Sequence, residues 1–258
     1  MLAIVLALIL VVGGSAAAAW AALSGPAQAT PNPSRPGTVL LVPGYGGSTG
    51  SLDTLAARIR LSRHTAVVVQ LAGDGTGDLP TQAAVLESYV NQAIRAGSGP
   101  VTIIGYSAGG VVAWLWDVRY DGAARAARII TFGSPLHGAR LAALGAAFVP
   151  GECPVACQQL VPGSSLLTSL AQSPSADRPP WLSLWTTDDE VVQPPDSARL
   201  AGAVNVPLQS VCPGVLISHT QLPTAPLVVG IVLRTLATGR LSAPPRRDCA
   251  ALTTLGTR

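Results

Sequence analysis

Ser107 sits in the stretch Gly105-Tyr106-Ser107-Ala108-Gly109-Gly110, after the β-branched run "VTII" and before the helix-compatible run "VVAWLWDVRY". A serine hydroxyl is a poor nucleophile near neutral pH, and acts as one only when a base takes its proton and an acid orients that base. Where a buried strand turns sharply into a helix, the apex residue is forced into strained backbone geometry and its neighbours two positions away must be small. Gly105, Gly109 and Gly110 meet that demand. A Gly-x-Ser-x-Gly match alone occurs at many ordinary turns; the strand before it and the helix after it give this one its weight. The spacing therefore predicts a nucleophilic serine held clear of a sheet.

The base must be one of three histidines, His64, His137 and His219. On such an elbow the partners follow the serine, acid first and histidine second, which removes His64. His137, in "TFGSPLHGA", has only Asp117 and Asp121 as acids between Ser107 and itself, both on the helix that follows the elbow. It reads as a loop or cleft histidine without proton-transfer duty. His219, in "VLISHTQLP", follows every strand and precedes the last long helix, and is the expected general base. The acid is expected just beyond "WLSLW", where "TTDDEVVQPP" offers Asp188, Asp189 and Glu190.

The elements that must position these groups alternate between strand and helix, the pattern of a mostly parallel sheet with helices on both faces. Six short apolar runs read as buried strands: residues 38–44, 65–71, 101–107, 127–133, 181–187 and 203–209. Between the second and third, Val85, Leu86, Tyr89, Val90, Ala93 and Ile94 fall in adjacent pairs four residues apart and lay one apolar stripe on a helix. Thr81 or a neighbour can cap its start and Gly97 can end it. Residues 108–121 and 224–238 read as two more helices. From Gly138 to Pro180 there is no convincing strand; two cysteines and three prolines precede a helix-like "SSLLTSL", so 138–180 reads as an insertion over the sheet edge. It is either a lid or a helix-rich crossover that only packs.

The chain has 258 residues, 48% hydrophobic and 11% charged, which fits one α/β domain with a large core. Its 16 basic residues are all arginines, the net charge is +3, and no stretch concentrates them with aromatics, so no nucleic-acid partner is expected. Leu2 to Leu23 carries no charge and would be about 33 Å long as a helix, enough to cross a bilayer. Residues 1–29 are therefore a signal peptide or an N-terminal anchor. Ala27-Gln28-Ala29 before the Pro-rich linker 30–37 favours cleavage, while the missing basic start and the long apolar run favour an anchor that would associate with a membrane. Four cysteines without C-x-x-C spacing agree with export and disulfides, and sequence order pairs Cys153 with Cys157 and Cys212 with Cys249; four buried free thiols are the alternative.

The motifs "VPGYGG", "GYSAGG", "TTDDEVVQP" and "ISHTQLP", in that order from about Thr38 to Leu236, resemble those of the α/β-hydrolase superfamily, in particular small bacterial secreted lipases and esterases without a separate cap domain. The resemblance implies a hydrolase domain over 38–258. In that family the acid is commonly followed by D-x-x-V-x-P, which Asp189 satisfies through Val192 and Pro194, whereas Asp188 finds Val191 but no proline. The oxyanion donors it implies are the backbone N–H groups of Ala108 and Tyr45; many relatives have His-Gly where this chain has Pro43-Gly44. Implied with them are hydrolysis of hydrophobic acyl esters through an acyl-enzyme on Ser107, no metal or organic cofactor, and a monomer. The rival readings are a non-catalytic envelope protein that binds a lipid or a partner, and an acyltransferase using the same three side chains.

Overall fold

The computed structural model describes residues 29–173 and 178–258. The leader or anchor expected over residues 1–29 lies outside the described residues except for Ala29. In chain order the elements are β1 (Gly37–Val42), α1 (Gly50–Leu61), β2 (Ala66–Val68), α2 (Leu79–Arg95), β3 (Gly99–Tyr106), α3 (Ala108–Arg119) and β4 (Ala126–Phe132). There follow α4 (Arg140–Phe148), α5 (Val155–Gln159), α6 (Ser165–Ala171), β5 (Trp181–Trp185), β6 (Val204–Pro207), α7 (Pro226–Thr238) and α8 (Cys249–Thr257). Single helical turns complete the connections.

The six strands form one sheet in the order β2-β1-β3-β4-β5-β6, and every neighbouring pair is parallel. Successive side chains of a strand point to opposite faces, and both faces here are covered. Val39 and Leu41 pack with α1, α7 and α8 on one side; Leu40 and Val42 pack with α2, α3 and the buried residues of α5 and α6 on the other. That is why these runs read as continuously apolar.

Chain order reverses between β1 and β3. The chain leaves β1 for α1 on one face and leaves β3 for α3 on the other, so the two connections diverge and open a crevice at the strands' carboxyl ends. The loop after β1 carries Tyr45 and the loop after β3 carries Ser107. At the opposite end of the sheet the incoming chain is pinned: Asn32 donates its N–H to Ser98 O at 3.1 Å, and Ala29 donates to Asn91 Oδ1 at 3.3 Å.

One sequence expectation is narrowed by the structure and another is corrected. The cap of α2 is Asp78, whose side chain accepts the Thr81 N–H at 3.1 Å; Thr81 is the donor, and Pro80 fills the first turn where its missing N–H costs nothing. The 138–180 crossover joins two interior strands and does not lie over a sheet edge. It reaches across the strand ends to the loop before α2, where Ala156 N–H donates to Thr76 O at 3.1 Å and the Gln159 carboxamide accepts from Leu79 N–H at 2.8 Å. Its helices α4 and α5 are only nine and five residues long, too short for a helical period to reveal them in the sequence. Both disulfides form, Cys153–Cys157 within this crossover and Cys212–Cys249 between the turn after β6 and the start of α8.

Candidate active site

Ser107 is the residue between β3 and α3, with φ 53° and ψ −128°. A non-glycine residue rarely holds that conformation, and the surroundings impose it. Its N–H is held by Phe132 O at 3.0 Å. A Cβ on Gly105 would lie 2.6 Å from Gly110 Cα, and one on Gly109 would overlap the Val42 carbonyl oxygen. Strand and helix meet backbone to backbone, so the turn is tight and the Ser107 hydroxyl projects into the crevice.

His219 opens a short 3-10 turn after β6, with Ser218 and Gln221 forming a capping box around it. Its ring joins the other two groups: Nε2 lies 3.0 Å from Ser107 Oγ and Nδ1 lies 2.7 Å from Asp189 Oδ2. A carboxylate only accepts, so the Nδ1 proton points at Asp189 and Nε2 is left to accept from the serine hydroxyl. His219 is 4% exposed and Asp189 1%. The second oxygen of Asp189 accepts the backbone N–H groups of Val191 at 2.9 Å and Val192 at 2.7 Å, which fixes the carboxyl plane. Asp188 is exposed and takes no part; it accepts from Gln209 Nε2 at 3.1 Å.

The backbone of His219 is clamped from both sides. Glu190 Oε2 accepts its N–H at 3.0 Å, and the Tyr106 hydroxyl donates to its carbonyl at 3.2 Å. Burial pushes the Tyr106 phenol up to about 12, with the charges of Asp189 and Glu190 adding to the shift, so this hydroxyl remains a donor across neutral pH. Gly133, at φ 58° after β4, leaves room for the imidazole: a Cβ there would sit 3.1 Å from both His219 Cε1 and Nδ1. Glu190 was named in the sequence only as a competing acid, and Tyr106 and Gly133 were given no role. The glycine ending "ARIITFG" was the one local signal; the others depend on which loop returns beside β3.

Ala108 is the first residue of α3, so its N–H is among those a helix start leaves without an internal partner. Tyr45 follows Gly44 in a turn closed by Gly47 N–H to Gly44 O at 3.1 Å. With Ser107, both residues line a cavity of about 560 Å³. The remaining walls come from Pro135, Val191, Val192 and the crossover, and no charged side chain lines it. Over it stands α4, which buries none of its residues. Phe148 is 78% exposed, Leu141 58% and Leu144 53%. His137 lies elsewhere, with Nδ1 3.1 Å from Ser197 O, on a separate depression beside Asp196 and Arg199. Among the described residues no cluster of His, Cys, Asp and Glu is arranged to hold a metal ion.

No protein-family model matches the chain and no curated protein matches it in sequence. Solved structures do match in fold. Lipase B of Aspergillus fumigatus superposes with a TM-score of 0.69 at 18% identity, over 88% of this chain and 63% of that one. The mature lipase BlEst2 of Bacillus licheniformis gives 0.57 at 18%, over 70% of this chain and 86% of the other. A structure from work on two metagenome-derived lipolytic enzymes, LipS and LipT, gives 0.61 at 16%, over 81% and 98%. The chain thus spans less than two thirds of the Aspergillus lipase. The parallel six-stranded sheet with helices on both faces and its likeness to these lipolytic structures establish that the chain has the α/β-hydrolase fold.

Proposed function

We propose that the protein is a serine carboxylic-ester hydrolase acting on hydrophobic acyl esters. The observation that carries this reading is the continuous chain Asp189–His219–Ser107 ending at an uncharged, apolar cavity. Ser107 Oγ attacks the ester carbonyl carbon while His219 Nε2 takes the hydroxyl proton, and Asp189 stabilises the imidazolium so formed. The N–H groups of Ala108 and Tyr45 hold the tetrahedral oxyanion, each such donor being worth roughly 2.7–4 kcal/mol in a closed site. Collapse breaks the ester C–O bond and His219 returns the proton to the leaving alcohol. Water then attacks the acyl-enzyme with His219 again as base, releasing the acid and restoring Ser107.

The acyl group takes the cavity under α4, because burial of apolar surface rewards a chain there and no side chain offers a charge to pair with a polar substrate. In this reading α4 is the lid part of the 138–180 crossover, and the two disulfides accord with export. A serine-directed fluorophosphonate tests the chemistry: labelling that disappears in Ser107→Ala supports the hydrolase, and a folded protein that never labels or turns over p-nitrophenyl esters leaves the ligand-binding alternative. Transfer of the acyl group to an added alcohol faster than to water would turn the reading to an acyltransferase.

A further inference from the structure

A nine-residue helix with no buried residue cannot stand over a cavity by its own propensity, so something beneath α4 must hold it. At its N-terminal end Arg140 donates its N–H to Gln193 O at 2.9 Å. Beyond Gly145 the chain through Val149 to Cys153 makes only local backbone bonds, such as Glu152 N–H to Val149 O at 2.9 Å. The support on that side is sulfur. A Cβ on Gly145 would sit 3.4 Å from Cys157 Sγ and 3.9 Å from Cys153 Sγ, and Cys157 Sγ lies 3.9 Å from Ala142 O. Residues 142 and 145 are one turn apart, so the bridge lies under a single face of α4.

The bridge in turn rests on something fixed. Cys157 belongs to α5, whose Ala156 is buried in the core and bonded to Thr76 O, and whose Gln159 binds Leu79 N–H and Asp78 Oδ1. Cys157 also lines the cavity itself. The chain segment closed by this bridge separates its cysteines by 4 positions, against 37 for Cys212–Cys249. In the chain-entropy picture so short a loop restrains the unfolded state the less of the two, so its effect is chiefly local.

We infer that the Cys153–Cys157 disulfide is a specificity-determining strut: it seats α4 on α5, sets the depth of the apolar cavity above Ser107, and so fixes which acyl chains are accepted. The inference rests on the hydrolase reading for its meaning, but its physical content is the affinity of the cavity for an acyl chain. The test therefore uses a fluorescent polyene fatty acid as probe, titrated into Ser107→Ala protein with and without the added pair Cys153→Ser/Cys157→Ser. Opening the bridge is expected to weaken probe binding about tenfold. In the Ser107 protein the same pair should lower the laurate-to-acetate ratio of kcat/KM for p-nitrophenyl esters about tenfold, with the loss in KM for laurate. The pair Cys212→Ser/Cys249→Ser is the control; it should lower the melting temperature and leave that ratio alone.

If the double variant does not fold, the folded parent is treated with a water-soluble phosphine. The phosphine takes oxygen from water as two thiols form, and mass spectrometry identifies which bridge has opened. Unchanged probe affinity and unchanged chain-length ratio after verified opening would overturn the inference. A protein that hydrolyses no ester yet loses probe affinity on opening overturns the hydrolase reading alone.

Discussion

The floor and the roof of the cavity are built on opposite principles. Around Ser107 the backbone of β3, α3 and the β1 loop approach so closely that side chains have no room, and every part of the elbow is fixed by buried neighbours. Above it, α4 presents Leu141, Leu144 and Phe148 to water, with the Cys153–Cys157 sulfurs beside Gly145 and only Ala142 packed against the core. The lesson is a division of labour: proton transfer needs atoms held to a fraction of an ångström, whereas accommodation of an apolar chain needs area and tolerates displacement.

Substitutions can break or sharpen that contrast. The largest effect belongs to the floor: Ser107→Ala should lower ester hydrolysis by roughly 10⁴-fold or more with an unchanged melting curve, read with p-nitrophenyl esters and circular dichroism. Gly109→Ala comes next, since its Cβ has nowhere to go but into Val42 O; a loss of about 3 kcal/mol or more should appear in urea unfolding, and a near-neutral result would mean the elbow is looser than described.

The rigid half extends to the far end of α3, where burial raises the Asp117 carboxyl to about 6, with Arg178 opposing and Asp121 adding to the shift. A carboxyl raised above its unfolded value contributes stability below that value and loses it as pH rises through about 6. Asp117→Asn should therefore gain on the parent by about 2–3 kcal/mol between pH 4 and pH 8, measured as paired denaturation curves. On the roof the effects are smaller. Phe148→Asp should raise KM for laurate by about tenfold and leave the melting temperature nearly unchanged, because an exposed side chain contributes little to the fold. Gly145→Ala should be neutral or stabilising by about 0.5–1 kcal/mol, the reverse of Gly109→Ala, because its Cβ meets sulfur at ordinary contact distance inside a helix.

The same contrast explains what could be read from the residues alone. The six strands were legible because both faces of the sheet are buried, and the elbow because Gly105, Gly109 and Gly110 answer a steric demand that no other residue meets. Asp189 was singled out by resemblance; its nearness to His219 depends on two loops, after β5 and after β6, meeting at the crevice. Glu190 was visible only as a competing carboxylate, because its bond to the His219 N–H is made across 29 positions of sequence. The roof was least legible. "RLAALGAAF" spans only nine residues and is interrupted by glycine, too short for the spacing of Leu141, Leu144 and Phe148 to stand out as a period, and the direction of the crossover is set by Gln159 and Ala156 reaching the loop before α2. Another network was equally hidden. Glu87 on α2 accepts from Arg125 at 2.8 Å and from Trp116 Nε1 at 2.9 Å, joining helices that share no local pattern.

The pinning of Asn32 to Ser98 and of Ala29 to Asn91 fixes one pole of the domain, beside the start of β3. The eight residues of β3 put roughly 26 Å between that pole and the Ser107 mouth. A strand's length of buried backbone thus separates the place where the chain enters the described residues from the cavity into which Ser107 opens.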